Sequence, residues 1–514
     1  MPDSKEVNLI SVDAENDLSS TSNSFDNGND MDALGNDVVL DKKMFLINDA
    51  IDEIGFTWYQ FKIFCLAGFG YSADSQLTLI PSTVQSFVQL QYNKEFPVST
   101  EIAYAGLFAG ALLWGISADL IGRRFAFNSS LFLGALFSFV VGGTSSYPMY
   151  QVFNFLSNLA LGGNLALDIS VYLEFLPFKH QWTTTLMAFW WGVGQTVCVL
   201  IAWAFLPKYS CSSADDCPSS SNRGWRYVWY VNSAIMMAGA LARFFLVKLE
   251  ETPKFLVSNN RDEDAVACLH RIATKYNRPC SLTLEQLTEC GTIKSNKSFN
   301  YTWKGGIQLM NHHFALLFPN KVSSWSTFLN FFSWFGIGIT YGLFSNFLPY
   351  FLSSRGAQTS NGSVYQTYRD NTIANFVCLF GPIIAAGLIF IPKVGRRGTM
   401  AIGGILSMIF LFCYTTVRTE PQNVAFSSIT YLCIYVYYGC LYAYTPEVMP
   451  SAARGTGASV AMVFNRLAGL IVPLIAYYGD TSSSVPIWVC GTFIGVIGLL
   501  AITFPFEPTT MRSV

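Results

Sequence analysis

Gly122-Arg123-Arg124, followed by Glu174-Phe175-Leu176-Pro177, returns later in the chain as Gly395-Arg396-Arg397 followed by Glu447-Val448-Met449-Pro450. Both pieces are displaced by the same 273 residues (395 − 122 and 447 − 174). In each copy, apolar segments of helix length fill the interval. Motifs that keep their spacing over such a distance mark a duplication. The apolar filling makes the duplicated unit a membrane one. Parallel repeats related by an axis along the membrane normal are a transporter architecture, so transport is the leading expectation before any single residue is weighed.

Composition agrees. Of 514 residues, 51% are hydrophobic and only 12% charged, with 16% aromatic, and the mean hydropathy is +0.35. That is too apolar for a soluble chain of this length. A net charge of −2 leaves no basic surface for a nucleic acid. Residues 1–43 form a different region, an acidic tail rich in Ser, Asn and Asp that cannot bury enough surface to fold. No apolar run near the start reads as a signal peptide, so the tail is expected in the cytosol, with the first span acting as the insertion signal.

A membrane-spanning helix needs about 20 apolar residues. Such segments fall at roughly 60–88, 101–118, 126–146, 150–172, 184–206, 227–247, 325–352, 369–391, 399–417, 424–444, 457–478 and 486–505. The expected fold is an all-α membrane protein of twelve transmembrane helices in two pseudo-symmetric six-helix halves, residues 44–247 and 323–506. A cytosolic linker, 248–322, joins them, and 507–514 form a second cytosolic tail. Ala265, Leu269, Ile272 and Tyr276 share one helical face in the linker, predicting an amphipathic helix on the inner membrane surface. Phe45, Ile47, Ile51 and Ile54 predict a similar helix before the first span.

Basic residues orient the chain. With the tail inside, the inward loops carry Arg123, Arg124, Lys179, Lys393, Arg396, Arg397 and Arg454 together with most of the linker, and the outward loops carry few. Cys211 and Cys217 share an outward loop and are close enough to bridge, although two free thiols fit the spacing as well. Asn361-Gly362-Ser363 is an outward glycosylation sequon. The four histidines all lie in inner loops, so no metal site is expected, and no cofactor.

Gly115-x-x-x-Asp119-x-x-Gly122-Arg123-Arg124 bridges the second and third spans. Glycine lets such a turn close tightly, and the carboxylate can accept from a helix N-terminus or from an arginine of the other repeat. The motif resembles the signature loop of the major facilitator superfamily, where it implies a latch on the inner side. In the second copy Leu388 and Pro392 replace the Gly and Asp, so an asymmetric latch is expected. A finer resemblance follows from Gly162-Gly163-Asn164-Leu165-Ala166-Leu167-Asp168 and Leu173-Glu174-Phe175-Leu176-Pro177. With Trp191-Gly192-x-Gly194-Gln195, Gly224-Trp225-Arg226-Tyr227 and Tyr444-Thr445-Pro446-Glu447, these resemble the synaptic-vesicle-glycoprotein-like branch of the sugar-porter-related transporters, over roughly residues 45–510. Two departures matter. Asn154 stands where that family carries an arginine tied to proton coupling, and Tyr341-Gly342-Leu343-Phe344-Ser345-Asn346 replaces the paired glutamines of hexose porters. A hexose is therefore disfavoured as substrate.

Ionisable groups inside a span are costly and mark pathways. Tyr71, Asp74, Thr78 and Gln85 share a face of the first span, and Asn154, Asn158, Asp168 and Tyr172 a face of the fourth. The candidate route comprises Asp74, Asp168, Trp191, Gln195, Asn346, Asn375, Tyr438 and Arg466. Asp74 is read as a cavity acid able to take and release a proton, against a structural interhelical hydrogen bond. Asp168 either shares that role or pairs with inner-side arginines. Arg466 is read as a partner for substrate or carboxylate, against packing on backbone carbonyls, and Arg243 as a residue that snorkels to the inner surface. Tyr431, Tyr435, Tyr438 and Tyr442 form one stripe of the tenth span, either a packing face or a cavity wall. The gate comprises Gly115, Asp119, Gly122, Arg123, Arg124, Glu174, Arg396, Arg397, Glu447 and Arg454.

The reading is a secondary active transporter of a small polar organic solute, an organic acid or another charged metabolite, coupled to protons and working by alternating access. The expected partners are that solute, protons and the lipid bilayer, with no nucleic acid, and the expected state is monomeric. The expected location is the plasma membrane or an endomembrane such as the vacuole or endoplasmic reticulum. The rivals are a nutrient sensor that has lost transport, a facilitative sugar transporter and a membrane enzyme. The last has no nucleophile motif or His/Cys cluster behind it.

Overall fold

The computed structural model describes residues 38–94, 98–121, 123–211, 217, 219–245, 250–293, 314–354, 364–449, 454–478 and 485–508. Among these, fourteen long helices make twelve spans. Span one is Trp58–Tyr92, two Val98–Ile121, three Arg123–Gly143, five Thr183–Tyr209 and six Gly224–Phe245. Span seven is Lys321–Ser354, nine Gly395–Tyr414, ten Glu420–Val448, eleven Arg454–Tyr478 and twelve Val485–Ala501. Span four is broken into Tyr147–Leu161 and Asn164–Glu174, and span eight into Val364–Cys378 and Phe380–Ile389. Shifted by 273 positions, the start of span three and the end of span four fall within one residue of the start of span nine and the end of span ten. The duplication is thus carried into the helix boundaries.

Local chemistry sets several of these boundaries. Span one opens on Thr57, whose hydroxyl and backbone N–H form a capping box with Gln60. It closes at Asn93 in the left-handed region, with φ 51°. Span ten opens on a second capping box, Thr419 with Gln422. The break in span four falls on Gly162-Gly163, where span two presses in. A Cβ on Gly162 would stand 2.5 Å from the Leu107 carbonyl oxygen, and one on Gly163 2.2 Å from Trp114 Cβ. No other residue type lets the two backbones meet there.

Within a half, span one packs on five, three on six, nine on twelve and seven on eleven. The halves meet along span two against eleven and span five against eight and ten. That arrangement leaves the inward faces of spans one, five, seven and ten opposed at mid-membrane.

At the end of the bundle that the basic residues assign to the inner side lie a leading helix, Val38–Ile54, and three short linker helices, Pro253–Ser258, Asp262–Lys275 and Leu284–Glu289. The expected face of the linker helix forms, with Ala265, Leu269 and Ile272 buried. It does not lie on the membrane surface as expected. It packs on Pro253–Ser258 and on the leading helix, so its apolar side is covered by protein.

Candidate functional site

The mid-membrane site is built from one polar face of each half. Span one contributes Tyr71 and Asp74, both buried. Neither Asp74 carboxylate oxygen has a partner in full hydrogen-bond geometry, the Asn164 amide contributing only weakly, and the Tyr71 hydroxyl lacks one as well. Across the interface, span eleven contributes Arg466, 4% exposed, whose Nε is likewise unpartnered. Asp74 and Arg466 act on each other electrostatically, and Asp168 and Arg243 act on Asp74 from the other side.

Aromatic rings surround this pair. Tyr442 lies 5.6 Å from Tyr71, 6.2 Å from Trp191 and 4.7 Å from Trp334, centroid to centroid. Tyr438 stacks on Tyr442 at 5.5 Å. Tyr442 of the span-ten stripe therefore faces the junction of the halves, while Tyr431 packs within its own half on Tyr341 and Phe344. Gln195 of span five crosses that junction: its Nε2 donates to the Tyr341 hydroxyl at 2.9 Å, and its Oε1 accepts from Tyr435. One amide of the first half thus holds two phenols of the second.

Asp168 has a different fate. Arg243 Nη2 donates to both of its oxygens at 2.9 Å, and both side chains are fully buried. The same guanidinium donates to the Phe127 carbonyl (2.8 Å), the Leu66 carbonyl (3.1 Å) and Asn164 Oδ1 (3.2 Å). It also sits 3.8 Å from the centroid of the Phe127 ring. The expectation that Arg243 snorkels to the surface is therefore wrong. A buried carboxylate within reach outcompetes the interface, because a guanidinium in the core needs a counter-charge and saturated donors. Gly70 makes the room: a Cβ there would stand 1.8 Å from Asp168 Oδ2 and 1.9 Å from Arg243 Nη2.

At the inner end, Arg396 and Glu447 form a second buried ion pair at 2.7 Å. Arg396 also donates to the Thr185 hydroxyl (3.0 Å) and the Gln181 carbonyl (3.2 Å), and Thr184 donates to Glu447 at 3.0 Å. Gln181, Thr184 and Thr185 belong to the first half and the ion pair to the second, so this is a latch across the halves. It forms although its loop lacks the Gly and Asp of the first copy. Glu507 caps the start of span nine, accepting from the backbone N–H of Arg396 (3.0 Å) and Arg397 (3.2 Å). The sequence boundary had left Glu507 in the tail.

The first copy of the gate is described in part. Gly115 lies against span eleven, where an added Cβ would be 2.5 Å from Ser459 Cβ. The Arg124 backbone N–H meets Glu251 at 3.4 Å. Glu174 is buried, and Arg454, also buried, donates from Nε to the Pro446 carbonyl at 2.7 Å. The side chains of Asp119, Arg123 and Asn346, and Gly122 and Asn361 altogether, lie outside the described residues. Asn375 donates to its own helix, to the Asn371 carbonyl at 2.8 Å. Asn154 and Asn158 bond each other and, through Asn154, the Ser99 carbonyl at 2.8 Å, so they tie span four to span two. Cys211 and Cys217 are disulfide-bonded, with Cα atoms 5.6 Å apart.

Sequence reasoning missed Gln181, Thr184 and Thr185, which carry no motif, and Glu507. The duplication offered one signal. Position 181 corresponds to Arg454, a residue already assigned to the gate.

Two six-helix halves, an inner latch between them and a polar, aromatic-walled junction at mid-membrane define a major facilitator transporter. The sugar (and other) transporter family profile matches residues 52–511, and the chain belongs to that family, as an integral multi-pass membrane protein. It is 35% identical to "MFS siderochrome iron transporter 1" of Ceriporiopsis subvermispora over 93% of each chain. At 25% identity it matches the rat "Synaptic vesicle 2-related protein", over 84% of this chain and 75% of that one. The proton:xylose symporter XylE bound to 6-bromo-6-deoxy-D-glucose superposes with a TM-score of 0.66 at 17% identity, covering 88% of this chain and 98% of that one. The family is one of transporters rather than enzymes.

Proposed function

We propose that this chain is a proton-coupled secondary transporter of a small charged organic solute, an organic acid or related metabolite, moved by alternating access. Asp74 carries the proton and Arg466 holds the anionic group of the solute. The observation behind this reading is the contrast between two buried acids. Asp168 is neutralised by Arg243, whereas both Asp74 oxygens lack a partner in full hydrogen-bond geometry. A carboxylate in that setting has to gain a proton or a counter-charge before its surroundings close. Arg466, also short of partners, supplies positive charge on the opposite wall. The rings of Trp191, Tyr438 and Tyr442 wall the space between and favour an organic solute over an inorganic ion.

Uptake by purified protein in sealed vesicles tests this directly, across a panel of organic anions and cations with and without a pH gradient. Asp74→Asn mimics the protonated form and is expected to lose gradient-driven accumulation while keeping solute exchange. Arg466→Gln is expected to lose binding of the anion. Wild-type accumulation by Asp74→Asn under a proton gradient would refute the coupling role. Absence of any transport across the panel would favour a sensor.

A further inference from the structure

The leading helix reaches the inner latch through one backbone hydrogen bond. Its Asp52 accepts, at 2.7 Å, from the backbone N–H of Phe178. Phe178 opens the short 3-10 turn Phe178–His180 that follows span four. Gln181, next in the chain, gives its carbonyl to Arg396 of the other half, and Thr184 one turn on binds Glu447. The chain just after the leading helix grips the same turn twice more. Gln60 Nε2 donates to the Phe175 carbonyl at 3.2 Å, and the rings of Phe56 and His180 lie 5.0 Å apart.

The helix is itself anchored to the linker between the halves. Lys43, fully buried, meets Asp262 at 2.5 Å. Glu53 accepts from the Ser281 backbone N–H (2.7 Å) and hydroxyl (2.8 Å). A continuous set of contacts therefore runs from linker to leading helix to turn to latch.

We propose that Asp52 is a positioning residue for the inner latch: by capping the Phe178 turn it holds Gln181 and Thr184 where Arg396 and Glu447 can bind them. The leading helix is then a strap that biases the transporter toward its inner-closed state. A carboxylate accepting from the first free N–H of a helical turn fixes that turn against its neighbours. Without the cap the turn can rotate, and a shift of about 1 Å takes hydrogen bonds of 3.0–3.2 Å out of range. This inference rests on the alternating-access reading but on neither the solute nor the proton.

The test uses the full-length protein in nanodiscs, with fluorescent amino acids replacing Lys179 and Ile391 as a distance pair. Trp182, three residues after Lys179, and Phe390, adjacent to Ile391, touch with ring centroids 5.4 Å apart, so the inner-closed state gives a short distance. Asp52→Ala is expected to raise the ratio of long to short distances about tenfold, as for the loss of one charge-assisted hydrogen bond. Asp52→Asn, which keeps an acceptor oxygen but not the charge, falls between wild type and Asp52→Ala. Phe178→Pro, which deletes the donor where a proline is tolerated, shifts the ratio in the same direction as Asp52→Ala. In an Arg396→Ala background, which removes the donors to Gln181, Thr184 and Thr185, Asp52→Ala adds little. Unchanged distances in both Asp52→Ala and Phe178→Pro overturn the proposal, as does a full additive effect in the Arg396→Ala background. Neither outcome bears on transport, which the vesicle assay reads separately.

Discussion

Replacing Asp168 by Asn strips the buried Arg243 guanidinium of its hydrogen-bonded carboxylate and leaves only Asp74, not in contact with it, as a counter-charge. Arg243 keeps its neutral acceptors, the carbonyls of Leu66 and Phe127 and the Asn164 amide oxygen, and it keeps the Phe127 ring. It loses two charge-assisted bonds of 2.9 Å. Breaking one side of a fully buried pair costs about 3–5 kcal/mol, most of it from the charge left behind. The remaining acceptors place Asp168→Asn at about 3 kcal/mol, while Asp168→Ala, which also opens a cavity, reaches about 5 kcal/mol. Removing both charges with Asp168→Leu and Arg243→Met is expected to recover most of the loss, because neither desolvation cost then remains. Reversible unfolding in mixed micelles measures these variants, and wild type, Asp168→Leu, Arg243→Met and their double yield the coupling energy from the cycle. A second readout follows from position. Arg243 acts electrostatically on Asp74, so without Asp168 it becomes the counter-ion of Asp74, and proton-driven accumulation falls even in protein that remains folded. Asp168→Asn within about 1 kcal/mol of wild type, or a double variant no more stable than the single ones, would refute the reasoning.

Gly70→Ala drives a methyl into the Asp168–Arg243 contact at under 2 Å; overpacking there is expected to cost about 1–3 kcal/mol in the same assay and to mimic part of the Asp168→Asn phenotype. Glu53 is held below the usual glutamate range by hydrogen bonds from the backbone and hydroxyl of Ser281. A lowered carboxylate contributes stability above its unfolded range that is lost as pH falls through its folded one. Hydrogen exchange of the Ser281 amide is therefore expected to be slow near neutrality and to lose protection on acidification below the ordinary glutamate range, with Glu53→Gln removing the pH dependence.

The twelve-span plan was legible because the duplication supplied what hydropathy alone did not. Among the described residues, eight helices are long and apolar enough to cross a membrane by length and composition. Span one buries Tyr71, Ser72, Asp74, Ser75 and Gln76, span four is cut at Gly162-Gly163, span seven buries Ser326, Thr327, Asn330 and Ser333, and span twelve is only 17 residues long. Each departs from a plain apolar run because of what it packs against. The route residues Asp74, Gln195, Tyr438 and Arg466 were legible as polar or aromatic groups on apolar helices. Their partners were not. Helical periodicity gives the face on which a residue sits but not the rotation of one helix against another. Hence Asp168 could not be assigned to Arg243, 75 residues away, nor Arg396 to the Gln181 carbonyl at a separation of 215.

The two buried ion pairs have an electrical consequence. Asp168–Arg243 travels with the first half and Arg396–Glu447 closes within the second, and each is neutral as a unit. Displacing either through the transmembrane field costs nothing to first order, whereas one uncompensated charge is worth about 2.3 kcal/mol per 100 mV. On the proposed mechanism the voltage sensitivity of the cycle is set at mid-membrane by Asp74, Arg466 and whatever they carry. A monoanion on Arg466 beside a protonated Asp74 crosses as a neutral complex, while the empty carrier returns with Asp74 and Arg466 cancelling each other. Current recorded during uptake therefore reads the solute charge plus that of the one accompanying proton: none for a monoanion, and net negative charge inward for a dianion.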